Sequence, residues 1–225
     1  MAHKAMLHVH LMLVPLLSLL PFSSLALTQD FCVADLHRPD TPAGYTCKDA
    51  KHVDADDFHS SALAKPGSIV VPSIFHAAFD LATAKQWPAV NGVGLGFVRY
   101  DIDPGGVVPA HTHPRASEVV YVIEGSMVAG FVSSDANKVY MKRVDKGGLF
   151  LIPLGLQHFL YNTGNTTVVA IGTYSSSNPG VQATNYALFG NDLAVTDVEK
   201  VTFIKEKEIE RLKKIFFPSS VPDGR

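Results

Sequence analysis

The chain has 225 residues, of which 47% are hydrophobic and 18% charged. That is enough for one sizeable domain with a real core, and it excludes wholesale disorder. The formal net charge is −2, and the longest charged run is Lys205-Glu206-Lys207-Glu208, so the electrostatic footprint of a nucleic-acid binder is missing.

The N-terminal stretch has the pattern expected of a leader. Lys4 precedes the apolar run from Leu11 to Leu20, and the small residues Ser24 and Ala26 follow in the −3 and −1 places of a cleavage site. Residues 1–26 therefore read as a secretory signal peptide. As a membrane anchor the run is too short for about 30 Å of hydrocarbon, and Pro15 and Pro21 break it. No later stretch reaches spanning length, so the expectation is a secreted protein without a membrane partner.

Residues 27–66 are rich in Asp, Pro and His and read as a loop-like arm that holds both cysteines, Cys32 and Cys47. An isolated pair in an oxidising compartment is expected to form one disulfide, worth about 3 kcal/mol for a loop of this size. Thiolate ligation of a metal together with His37 and His52 is the competing reading, but the cysteine spacing is not that of a zinc site.

Residues 67–190 carry short β runs at 94–101, 118–123, 126–132, 139–144, 149–152, 157–161 and 167–174. Turn signals fall between them, at Pro104-Gly105-Gly106, Glu124-Gly125, Lys146-Gly147-Gly148 and Asn162-Thr163-Gly164. Regular short strands at that spacing predict an all-β sandwich or barrel. Asn165-Thr166-Thr167 is a glycosylation sequon in a turn-like stretch. In the last segment, 191–225, Ile204, Ile209, Leu212, Ile215 and Phe216 recur at helical spacing among Lys and Glu. The apolar face of that helix has two open destinations, its own barrel or a neighbouring subunit.

The chemistry lies in two Gly/Pro-framed stretches. His111 and His113 are two apart and share a face of a strand. Pro114 ends that strand, and Glu118 opens the next apolar run, where an adjacent antiparallel strand would return its carboxylate beside the imidazoles. His158 starts a later run, and Asn162 shares its face, placed to orient a ligand by hydrogen bonding. Three neutral imidazoles and one carboxylate suit a divalent first-row metal without choosing among manganese, iron, cobalt and zinc.

The two stretches resemble the two boxes of the germins and germin-like proteins of the cupin superfamily. Gly105, His111, His113, Glu118 and Gly125 fill every fixed position of the first box, and Gly147, Pro153, His158 and Asn162 fill those of the second. Gln29–Leu36, Ser177–Gly180 and Leu188–Gly190 extend the resemblance over essentially the whole mature chain. It implies a cupin jelly-roll β-barrel with an N-terminal arm and C-terminal α-helices. It also implies a manganese ion on His111, His113, Glu118 and His158, and a hexamer built as a trimer of dimers through those helices. Two activities follow from the resemblance, oxalate oxidation and superoxide dismutation, both on small anions in the apoplast or cell wall. Oxalate oxidases carry asparagine three and thirteen residues before the His-x-His, where this chain has Val108 and Val98, which disfavours oxalate. Superoxide dismutation is the favoured activity. The competing class is a non-enzymatic receptor or auxin-binding protein, which Gly92–Gly96 and Thr202–Lys214 resemble most.

Overall fold

Thirteen strands form among the residues that the computed structural model describes, which are 27, 29–70 and 73–217. The expected leader, 1–26, lies outside the described residues. In chain order the strands are β1 (Asp40–Thr41), β2 (Gly44–Tyr45), β3 (Ile69–Val70), β4 (Ala77–Ala82), β5 (Gly96–Ile102), β6 (Val107–Thr112) and β7 (Glu118–Glu124). They continue as β8 (Ser126–Val132), β9 (Val139–Asp145), β10 (Leu149–Ile152), β11 (His158–Tyr161), β12 (Val168–Tyr174) and β13 (Gln182–Ala183). Three helices follow: α1 (Thr184–Phe189), α2 (Val195–Thr202) and α3 (Glu206–Phe216).

The expected β runs are all present. They sort into a six-stranded sheet in the order β10-β7-β12-β5-β4-β3 and a five-stranded sheet in the order β13-β6-β11-β8-β9, every pairing antiparallel. The period of two explains how the sheets face each other. On β5, Val98, Tyr100 and Ile102 are buried while Phe97, Arg99 and Asp101 stay half-exposed, and on β12 the buried set is Val168, Ala170, Gly172 and Tyr174. These inner faces meet Met127, Ala129 and Leu160 of the opposing sheet in one core. Each fully buried Ile, Leu or Met there contributes about 1.5–3 kcal/mol of hydrophobic free energy. This is the jelly-roll barrel expected from the motifs. At Glu124-Gly125 the chain leaves the first sheet for the second, and Gly125 makes that corner at φ +76°, a conformation residues with a Cβ rarely adopt.

The arm is stapled by the Cys32–Cys47 disulfide. It is tied to the barrel by Asn91, whose side chain accepts from the Tyr45 N–H and donates to the Tyr45 carbonyl. The helical segment begins at Thr184, within the stretch read as barrel, because Phe189 of α1 packs with Val198, Ile209 and Phe216 of the later helices. That cluster closes on Phe75, whose ring stacks on Phe216 at 6.1 Å, and it leaves Ile209 without exposed surface. Of the two destinations open to the C-terminal apolar face, its buried part takes the first: it covers its own chain.

Candidate metal centre

Strand register places the histidines. His158 of β11 sits directly opposite His111 of β6, and the ring centroids are 4.0 Å apart. The ladder slips by one residue between His158 and Leu160, opposite the stretch of β6 that contains Pro109. Proline has no N–H to give, and a bulge is where a strand tolerates one. His113 lies one residue beyond the end of β6, at the turn that Pro114 forces.

Each imidazole is held at its outer nitrogen. His111 Nδ1 lies 2.8 Å from the Pro109 carbonyl, His158 Nδ1 2.8 Å from the Leu156 carbonyl, and His113 Nδ1 2.6 Å from the Gly180 carbonyl. A carbonyl oxygen only accepts, so Nδ1 carries a proton in all three rings, and it is the neutral form of each ring that offers a lone pair on Nε2 to a metal. Gly180 belongs to the Ser177–Gly180 stretch, which is fixed in turn by Arg115: Nε donates to the Asn178 carbonyl and Nη2 to Asn178 Oδ1.

Glu118 reaches the histidines by a different route from the one expected. It lies on β7 of the six-stranded sheet, whereas His111 and His158 lie on the five-stranded sheet, so the carboxylate crosses the barrel interior instead of coming from an adjacent strand. Its Oε2 is 3.4 Å from His113 Nε2 and 3.3 Å from His158 Nε2, and these three atoms are buried without a hydrogen-bond partner. One ligand atom from each of the four residues lies within 4.8 Å of the others. Buried acceptors facing one another are costly unless something satisfies them, and a divalent cation satisfies all of them at once. The donor set therefore fits a metal ion.

Electrostatics agree. Burial, with His158 and His113 alongside, pushes the His111 imidazole down to about 3, so it stays neutral and able to ligate. Burial alone would raise the Glu118 carboxyl. In the metal-free protein, donation and positive charge from protonated His113 and His158 outweigh it and hold the group at about 2; beside neutral rings, a bound cation would take that place.

Asn162, expected beside the ligands, makes its hydrogen bonds away from the four of them. Its amide donates to the Ile102 and Thr166 carbonyls and accepts from the Gly164 N–H, so it closes the loop after β11. Four residues along an extended strand also put it about 13 Å from His158. Asn165 is exposed on that same loop.

The site opens into a cavity of about 410 Å³ whose apolar wall includes Phe79, Leu81, Val98, Val108 and Val181. Three residues that motif reading passed over complete the surroundings: Tyr100, Tyr174 and Gly172. Tyr100 donates to Glu118 Oε1 at 2.9 Å. Their signal in the sequence is only an inward position on β5 and β12, which fits any core residue equally well.

The cupin family model matches residues 61–210. The chain is 48% identical to germin-like protein 8-14 of Oryza sativa subsp. japonica over 207 residues, 91% of this chain and 95% of that protein. It is 47% identical to auxin-binding protein ABP19b of Prunus persica over 195 residues, 87% of this chain and 92% of that one. Among solved structures, an oxalate oxidase superposes with a TM-score of 0.81 at 34% identity, covering 87% of this chain and 98% of the other.

Proposed function

The chain belongs to the cupin family as a germin-like protein, and from that premise we propose a secreted manganese protein that dismutes superoxide. His111, His113, Glu118 and His158 would hold the ion, and Asn165 would carry glycan. The exposed Val201 and Phe203 of the helical extension are apolar surface available to neighbouring copies in a hexamer in the cell wall or apoplast.

The observation that carries the reading is the pairing of a buried three-imidazole, one-carboxylate donor set with an apolar approach. Three neutral imidazoles and one carboxylate leave a divalent ion a net charge of about +1, which attracts small anions. Val98 and Val108 line the approach where oxalate oxidases carry asparagine, and neither can donate a hydrogen bond to a second carboxylate. Superoxide needs no such anchor. When bound, manganese would supply the one-electron exchange of the overall reaction, two superoxide ions plus two protons giving oxygen and hydrogen peroxide. The protein's residues turn Nε2 of each imidazole inward through the Nδ1 contacts, keep the His111 ring neutral by burial, and line the route with side chains that do not trap an anion.

The test is elemental analysis of the purified secreted protein together with superoxide consumption before and after His111→Ala. Manganese near one per chain and activity lost with the metal are expected. Activity that survives removal of the metal refutes the proposal.

A second reading, binding without turnover, is favoured by the size of the cavity, which far exceeds a diatomic anion. A curated relative is named auxin-binding. Saturable auxin binding by a fully loaded protein that leaves superoxide untouched would replace the first reading with this one.

A further inference from the structure

The second oxygen of Glu118 has its own environment, made by residues outside the two metal-ligand motifs. Tyr100 Oη lies 2.9 Å from Glu118 Oε1, and Tyr174 Oη lies 3.1 Å from Tyr100 Oη. An ionised carboxylate can only accept, so Tyr100 gives its proton to Glu118. Tyr174 must then donate to Tyr100, and the direction of the chain is fixed: Tyr174 to Tyr100 to Glu118. Both phenols are buried, Tyr100 at 4% exposure and Tyr174 at 3%, so water does not compete for these bonds.

Space for this arrangement comes from Gly172. A Cβ there would overlap Glu118 Oε1 and stand 2.7 Å from Val98 Cγ1 and 3.1 Å from Tyr100 Cε2. The carboxylate and the phenol ring thus share the gap that glycine leaves. The Tyr174 ring also meets His113 at 4.6 Å between centroids, so the same pair touches two of the four candidate ligands.

We infer that Tyr100, seated against Gly172 and oriented by Tyr174, is a positioning residue that ties down Glu118 Oε1 so that Oε2 alone faces the imidazoles. A hydrogen-bonded Oε1 cannot turn inward, and the bond draws charge from the carboxylate, which sets how strongly Glu118 donates to an ion. The inference rests on the reading of His111, His113, Glu118 and His158 as metal ligands.

The test is manganese titration of the full chain, read by calorimetry and by the electron paramagnetic resonance spectrum of the bound ion. Tyr100→Phe keeps the ring and removes only the donor. Its affinity for manganese should fall about 10- to 100-fold, with an altered spectrum. Tyr174→Phe should lose less, and the double variant no more than Tyr100→Phe alone, because Tyr174 acts through Tyr100. Wild-type affinity and spectrum in folded Tyr100→Phe would overturn the inference, as would independent, additive losses. If Tyr100→Phe does not fold, Tyr174→Phe decides: a weakened or spectrally altered site supports the inference and an unchanged one overturns it. A wild-type chain that binds no divalent ion defeats the ligand reading itself, an outcome distinct from either.

Discussion

Gly172→Ala adds one methyl group to β12, and its expected effect has the opposite sign from the usual one. Within an ordinary strand alanine is favoured over glycine by about 0.5–1 kcal/mol, because glycine loses more backbone freedom on folding. At Gly172 the new Cβ would overlap Glu118 Oε1 and crowd Val98 Cγ1 at 2.7 Å and Tyr100 Cε2 at 3.1 Å. The exposures of those three side chains, 1%, 1% and 4%, leave none of them a route to solvent. The backbone at Gly172 is not left-handed, so the cost is steric alone. Overpacking of this kind costs about 1–3 kcal/mol. Net of the backbone gain, stability should fall by up to about 2.5 kcal/mol, which lowers Tm by up to about 10 °C for a domain of this size. Whatever share of the clash Glu118 absorbs by moving appears as weaker manganese binding. Thermal melts in a chelator and manganese titration of the same preparation measure the two parts. A raised Tm with unchanged metal affinity would refute the packing argument.

The metal-free protein should lose stability in acid. His111 sits at about 3 in the fold against 6.5 when unfolded, and Glu118 at about 2 against 4.5. For both groups the unfolded chain takes up the proton first, so stability is full above about 6.5 and declines as pH falls toward 3. A melting temperature that is flat from pH 7.5 to 4.5 in a chelator would contradict this. Reducing Cys32–Cys47, separated by 15 residues, should cost about 3 kcal/mol in the chain-entropy model, seen as a lower denaturant midpoint in reductant. Ile209→Ala should cost about 2–5 kcal/mol in chemical denaturation, since Ile209 is wholly buried within its own chain; a neutral result would mean that this helix does not pack there.

Sequence legibility followed the range of the interaction concerned. Alternation of period two is local, so β5, β7, β8 and β12 could be read directly, and the two Gly/Pro-framed boxes placed His111, His113, Glu118 and His158 together. The partner of each group across the barrel is not local. Glu118 reads as a neighbour in the same sheet because it follows His113 by five residues, yet the turn at Pro114 carries the chain into the other sheet. Asn162 shares the strand face of His158, but distance along the strand takes it to the far end, where backbone groups claim all three of its hydrogen bonds. Tyr100 and Gly172 are paired only through registers of β5 and β12 that no spacing encodes; Gly172 lies opposite Val98, two residues from Tyr100. The helical period around Leu212 was plain, whereas its packing partner Phe75 precedes it by well over a hundred residues.

The position of Glu118 changes what an ion would do for the fold. With His111 and His158 on one sheet and Glu118 on the other, a cation held by all four ties the two layers together at the interior face of the barrel. It would also relieve three buried acceptors that otherwise face one another without donors. An ion that binds only the folded chain stabilises it by RT ln(1 + [L]/Kd), about 2.7 kcal/mol at a hundredfold excess over Kd. Part of the barrel's stability is therefore expected to depend on metal, and the Tyr100 contact, by holding Glu118 across the gap, acts on that stability as well as on the site.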